Sequence, residues 1–138
     1  MNTDIETLIS DFELLDDWED RYRHLIELGR ALPMMDEALK MPATKVNGCA
    51  SQVWIFSQVI EGRNGKQLAL QGDSDALIVK GLIAIVLMIF SPLNVLEISS
   101  CDTAAIFAQL GLKDHLTPQR SNGLASMVAR IKADAAAA

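Results

Sequence analysis

Cysteine, histidine and aromatic residues are all scarce in this chain. Its 138 residues hold two cysteines, two histidines and one tyrosine. The four sulfur and imidazole positions, Cys49, Cys101, His24 and His115, follow no disulfide-framework or metal-ligand spacing. Reduced thiols and residence in the cytoplasm are therefore the expectation, with no bound metal. Basic runs are lacking too. Lys and Arg form no run longer than a pair and the formal net charge is -6, which leaves no basic stripe to neutralise phosphates and argues against nucleic acid. No basic region followed by an apolar one opens the chain, so no secretory signal is expected. The most apolar stretch, Gly81 to Phe90, falls well short of the roughly 20 residues that span a bilayer. A membrane partner is not expected.

What is present is half apolar and less than a quarter charged. That is enough to bury a core without staples, and it fits one domain over residues 1–138. An acidic surface suits protein partners without naming one. Ile5, Leu8, Ile9, Phe12 and Leu15 recur at helical spacing over Asp4 to Leu15. Asp16 or Asp17 caps a second helix whose stripe is Trp18, Tyr22, Leu25, Ile26 and Leu28, ended by Gly29 and Pro33. A weaker helical patch spans Met34 to Leu39.

The character then changes. Val53 to Ile60 is β-branched and aromatic and predicts a strand; Asn64-Gly65 signals a hairpin turn, and Lys66 to Gln71 is the return strand. A short strand near Lys45-Val46 would complete a meander. Gly72-Asp73-Ser74-Asp75 reads as a turn able to cap a nearly all-apolar central helix over Ala76 to Phe90, which Pro92 stops. Helices over Asp102 to Leu110 and Asn122 to about Ala135 follow, with a frayed Ala135–Ala138 tail. The fold class is α+β: a small antiparallel sheet of about three strands packed against several helices.

Cys49 is the chemical candidate. It sits on a glycine-containing turn, Val46-Asn47-Gly48-Cys49, that runs into the first strand, an unusual place for a structural thiol. From local sequence two readings stand: a thiol presented on a flexible tip, or a small packed hydrophobe. Gly48 can take φ > 0 and let the tip swing. Cys101, at an expected helix start, is either a thiol tuned by the helix dipole or a partly buried one with no task. His24 or His115 as a thiol-protease base lacks recognisable orienting groups. His115 is expected in a loop.

Several stretches share a further property. Gly48-Cys49-Ala50-Ser51-Gln52-Val53-Trp54, Gly72-Asp73-Ser74-Asp75 with Ile78-Val79-Lys80-Gly81-Leu82, and His115-Leu116-Thr117-Pro118-Gln119-Arg120-Ser121-Asn122-Gly123-Leu124 with Met127 resemble, in order, the SufE family of cysteine desulfurase partners. So do Trp18-Glu19-Asp20-Arg21-Tyr22 and Leu28-Gly29-Arg30-Ala31-Leu32-Pro33. The likeness runs from about residue 12 to residue 132. Gln119 departs from it, since the family usually has Ser before the Arg.

The resemblance implies a SufE/IscU-like fold and a sulfur acceptor in iron–sulfur cluster assembly. A pyridoxal-phosphate cysteine desulfurase of the SufS or CsdA type holds sulfur as a persulfide. The acceptor's loop thiol, matched here by Cys49, takes that sulfur over, stimulates the desulfurase and passes the sulfur to an iron–sulfur scaffold such as the SufB complex. The chain would then be a covalent carrier and not a free-standing enzyme, with no bound cofactor (PLP being the partner's), acting as a monomer or weak homodimer. Gly48, Ser51, Gln52, Arg120 and Asp75 are expected to support the thiol or touch the partner, and the resemblance puts Arg120 beside the thiol, where its cation would favour thiolate or persulfide. Cys101 has no counterpart. The scarcity of thiols argues against the cluster scaffold itself. The other reading is a non-catalytic adaptor that regulates a desulfurase or another partner by binding alone.

Overall fold

The computed structural model describes residues 3–138. Seven helices and a two-stranded sheet follow one another along them: α1 Thr3–Glu13, α2 Trp18–Ala31, a 3₁₀ turn at Glu37–Leu39, β1 Val53–Gly62, β2 Gly65–Ser74, α3 Leu77–Phe90, α4 Val95–Ser100, α5 Thr103–Gln109, α6 Leu112–His115 and α7 Pro118–Ala136. This is the α+β class expected, with two strands in place of about three. Thr44 and Val46 do pair with β1, through Ile55 N–H to Thr44 O (2.9 Å) and Val46 N–H to Val53 O (2.8 Å), yet only a single bridge, Lys45 to Trp54, results. A turn at Met41–Thr44 and the loop beginning at Asn47 leave no room for a longer strand.

α3 is the centre, as its composition demands: nine of its residues, from Val79 to Phe90, are buried. α2 crosses it at two glycines. A Cβ on Gly81 would run into the Leu25 carbonyl, and one on Gly29 would lie 2.7 Å from Leu77 O. Gly29 is thus a packing residue two positions inside the helix, which continues to Ala31. Asp17 caps α2 by accepting Glu19 N–H, the expected role for a short side-chain acceptor at that position.

The hairpin turn is Arg63-Asn64. Gly65, at φ +102°, is its one left-handed residue; Asn64 does not share that geometry. Both strands run longer than expected, and Gly72 to Ser74 belongs to β2 rather than to a turn. Ala76 precedes α3 without any side-chain cap. Asp73 instead meets Lys40 (2.7 Å) and Lys80 (3.4 Å), with the Lys40 ammonium over Trp54.

Two short helices, α4 and α6, were not expected. Asn94 and Glu97 form a reciprocal capping box that starts α4, and Gly111 at φ +71° turns the chain into α6. His115 therefore lies in a helix, not a loop. It stacks on Trp18 at 4.0 Å, and its carbonyl accepts the Tyr22 hydroxyl. α7 begins at Pro118 with Thr117 as cap, earlier than Asn122, and continues through a buried Ala135. No helix of the described residues is long and apolar enough to cross a membrane.

Candidate functional site

The loop that carries Cys49 has a pinned neck. Val46 and Val53 close it through their backbone bond. On the Val46 side, the buried Thr44 hydroxyl donates to Leu39 O (2.6 Å), and the Arg130 guanidinium on α7 donates to Ala43 O (2.5 Å). On the Val53 side, Gln52 N–H donates to Asp75 Oδ1 (3.1 Å) while Asp75 N–H donates back to Gln52 O (3.3 Å). Asp75, exposed at the end of β2, thus spends its carboxylate on the loop and does not cap α3.

Between these anchors the tip lies on α7. Gly48 takes φ +90°, a conformation that L side chains rarely adopt. A Cβ there would also stand 2.5 Å from the Ser126 hydroxyl. Glycine is required twice over. The Cys49 Sγ points at the Gly123 carbonyl at 3.6 Å, within reach of a weak S–H···O bond. A Cβ on Gly123 would sit 3.4 Å from that sulfur, so the bare backbone of α7 makes the seat.

Cys49 opens into a cleft of about 210 Å³ lined by Ala50, Ser51, Val79, Leu82, Gln119, Arg120, Gly123 and Met127, with Thr117 at the head of α7. Arg120 shares the cleft, as expected, but it does not activate the thiol in this conformation. Burial pushes the Cys49 pKa above its ordinary value, and no charged group opposes that effect. The apolar floor from Val79, Leu82 and Met127 is the cause: an ionised sulfur is poorly solvated there. The resting state therefore holds a neutral, half-buried thiol.

Of the six residues expected at the site, Cys49, Ser51 and Arg120 line the cleft, Gly48 forms the bend, and Gln52 with Asp75 forms the neck. The Gly123 carbonyl and Ser126 were missed. A backbone acceptor leaves no trace in the side-chain pattern, but Thr117-Pro118 is a cap followed by an N1 proline and could have placed the start of α7 over the thiol.

The remaining groups stand apart. Both histidines are engaged with other rings: His24 packs edge-on against Phe12, and His115 stacks on Trp18. Cys101 is the C-terminal cap of α4, not the start of a helix. Its pKa is raised, chiefly by burial, with Lys132 opposing and Asp102 adding to the rise. No cluster of three His, Cys, Asp or Glu among the described residues could hold a metal ion.

Against known proteins, the profile of the family described as SufE, Fe-S metabolism associated domain, matches residues 6–135. A protein of Rhizobium meliloti named as an uncharacterized SufE-like protein is 49% identical over 133 residues, covering 96% of this chain and 95% of its own. One of the same description from Rhizobium etli is 49% identical over 131 residues, covering 95% and 88%. The solution structure of a hypothetical protein from Thermus thermophilus superposes with a TM-score of 0.76 over 96% of this chain and 93% of that one. At 18% identity that likeness speaks to fold alone.

Proposed function

This chain belongs to the SufE family of Fe-S metabolism associated domains, and from that membership we propose that it is a covalent sulfur carrier: Cys49 receives sulfane sulfur from a pyridoxal-phosphate cysteine desulfurase and surrenders it to an iron–sulfur scaffold. The observation that carries the reading is the loop itself. A thiol sits on a short tip, Asn47 to Ser51, between two pinned ends, its sulfur held to the helix beneath by one weak bond.

The transfer is an exchange at sulfur and involves no net redox change. The Cys49 thiolate attacks the terminal sulfur of the donor persulfide. A new S–S bond forms on Cys49, the donor's S–S bond breaks, and the donor cysteine leaves as thiolate. The proton that Cys49 gives up passes to solvent or to the departing thiolate. An ordinary cysteine is only a few per cent thiolate at neutral pH, and the burial-raised Cys49 is less so. Attack therefore requires the tip to leave its seat on Gly123. In this account the free carrier is quiet, and the donor's pocket, on receiving the extended tip, supplies the activation.

Once loaded, the sulfur has a different environment to return to. A persulfide anion in the cleft would meet Arg120 and the positive end of the 19-residue α7, both of which favour negative charge. The chain contributes seat, neck and cation; the pyridoxal phosphate that releases the sulfur is the partner's. No cofactor is assigned to this chain, which in this reading is no free-standing enzyme. A SufS- or CsdA-type desulfurase and a SufB-type scaffold are the partner classes that fit.

Desulfurase turnover with Cys49→Ser separates the carrier from an adaptor. The carrier loses its stimulation entirely while still binding the desulfurase. Stimulation that survives the substitution would establish the adaptor instead.

A further inference from the structure

α7 borders two clefts with two different stripes of side chains. Gln119, Arg120, Gly123 and Met127 face the thiol. Ser121, Leu124, Ala125, Val128, Ala129 and Lys132 instead line a groove of about 480 Å³, and their three- and four-residue spacing puts them on one helical face. Phe107 of α5 and Leu112 of α6, with Leu116 just after it, make the opposite wall. Leu112, Leu124 and Val128 are buried and form the floor, while the small, exposed Ala125 and Ala129 leave the groove open. Its size and apolar walls are those of a small-molecule site. One side of a stable protein interface presents about 20–30 residues, roughly twice the twelve that line this groove.

The charges in the groove run against those of the chain. Acidic residues outnumber basic ones by 18 to 12, yet no acid lines the groove, and its charged residues are Lys113 and Lys132. Neither ammonium is ion-paired among the described residues. Lys132 is half-buried, and its Nζ donates to Cys101 O at 2.8 Å. That bond fixes the ammonium at the α5 end of the groove and uses one of its three N–H groups. Lys113, exposed on α6, adds positive potential.

We infer that this groove binds a medium-chain organic carboxylate, its head on the Lys132 ammonium and its tail along Leu124, Val128, Phe107 and Leu116. From Lys132 to Ser121 the stripe runs about 16 Å along α7, room for an extended acyl chain. A single ammonium is a point charge suited to one carboxylate group. A phosphate is more often met by an arginine fork, and no arginine lines the groove. The two clefts share no lining residue, so the ligand site stands independently of sulfur transfer.

Titration with sodium decanoate, kept below micelle formation and followed by amide NMR shifts, tests the site. Binding is expected to saturate with a sub-millimolar Kd, the shifts falling on α5, α6 and the groove stripe of α7. Decanol, with the same tail and no charge, should bind about tenfold more weakly. In Lys132→Gln that preference should vanish while decanol binding persists. Ala125→Phe, a change at an exposed position, should fill the groove and abolish binding of both probes with an unchanged circular dichroism spectrum. Cys49→Ser should bind decanoate as the unmodified chain does. Equal affinity of the unmodified chain for the two probes overturns the anionic head, and a preference that survives Lys132→Gln overturns its placement. Shifts that do not saturate, or binding that Ala125→Phe leaves intact, overturn the site.

Discussion

Cys49 and Cys101 are both half-buried thiols whose pKa values burial raises, yet their settings differ. Cys49 hangs from a bend over a bare helix backbone; Cys101 closes one helix and precedes another, its carbonyl held by the Lys132 ammonium at 2.8 Å. The pH dependence follows from the sign of the shift. A thiol whose folded pKa lies above its unfolded value stays neutral until pH exceeds the ordinary value of about 8.5. The rate of Cys49 alkylation should therefore climb to its plateau with a midpoint above that of the same peptide in denaturant. A midpoint at or below the peptide's would show that the seat does not hold the thiol neutral. What the sequence made legible here was the thiol and its glycine, because a cysteine beside Gly48 just before a β-branched run has few structural reasons. Its acceptor was not legible, since any residue can supply a carbonyl.

At the scale of elements, the cysteine loop is held by a few bonds and should answer to each. Asp75→Ala removes the acceptor of Gln52 N–H at an exposed site, with an expected loss of about 1 kcal/mol in denaturant unfolding. The same change should raise Cys49 alkylation several-fold at fixed pH by loosening the neck; an unchanged rate would detach Asp75 from the loop. Gly48→Val must undock the tip from Ser126 or strain the bend, so it should impair sulfur uptake far more than melting temperature. The α2–α3 crossing is less forgiving. Gly81→Ala forces a methyl against Leu25 O, where backbone must move, and should cost about 1–3 kcal/mol or more. A neutral result in thermal unfolding would mean that the helices part easily.

Helices α1, α2, α3 and α7 were readable because their apolar periodicity or punctuation is strong. α4 and α6 were not, because six and four residues are too few for a period to show. The third strand was overcounted for a related reason: three residues with suitable side chains make a bridge, and only neighbouring geometry decides whether it extends. The aspartates of Gly72-Asp73-Ser74-Asp75 resemble caps because acids before a helix usually are, whereas here the strand runs through Asp73 and the Asp75 carboxylate accepts Gln52 N–H.

Across the whole molecule, the nearly all-apolar α3 joins the hairpin on one side to the helices on the other, so site and core stand or fall together. The Asp73–Lys40 bridge ties β2 to the segment leading into the cysteine loop. Burial alone would raise the Asp73 pKa, but the Lys40 hydrogen bond, Ser74 N–H and the Lys80 charge outweigh it and hold the carboxyl below its usual range. The stability this contributes is present above about pH 4, the unfolded carboxyl value, and is lost as pH falls through the folded one. Chemical denaturation should accordingly show Asp73→Asn losing less stability than the unmodified chain between neutral and acidic pH. An identical acid limb in both would remove the bridge from the account.

The central claim is that sulfur travels on this chain. Mixing it with a cysteine desulfurase and free cysteine, blocking thiols and mapping the digest by mass spectrometry tests that claim most directly. The account predicts one added sulfur atom on the peptide containing Cys49 and none on the peptide containing Cys101. An unmodified Cys49 peptide, from a mixture in which the desulfurase has turned over and is itself persulfidated, would contradict it.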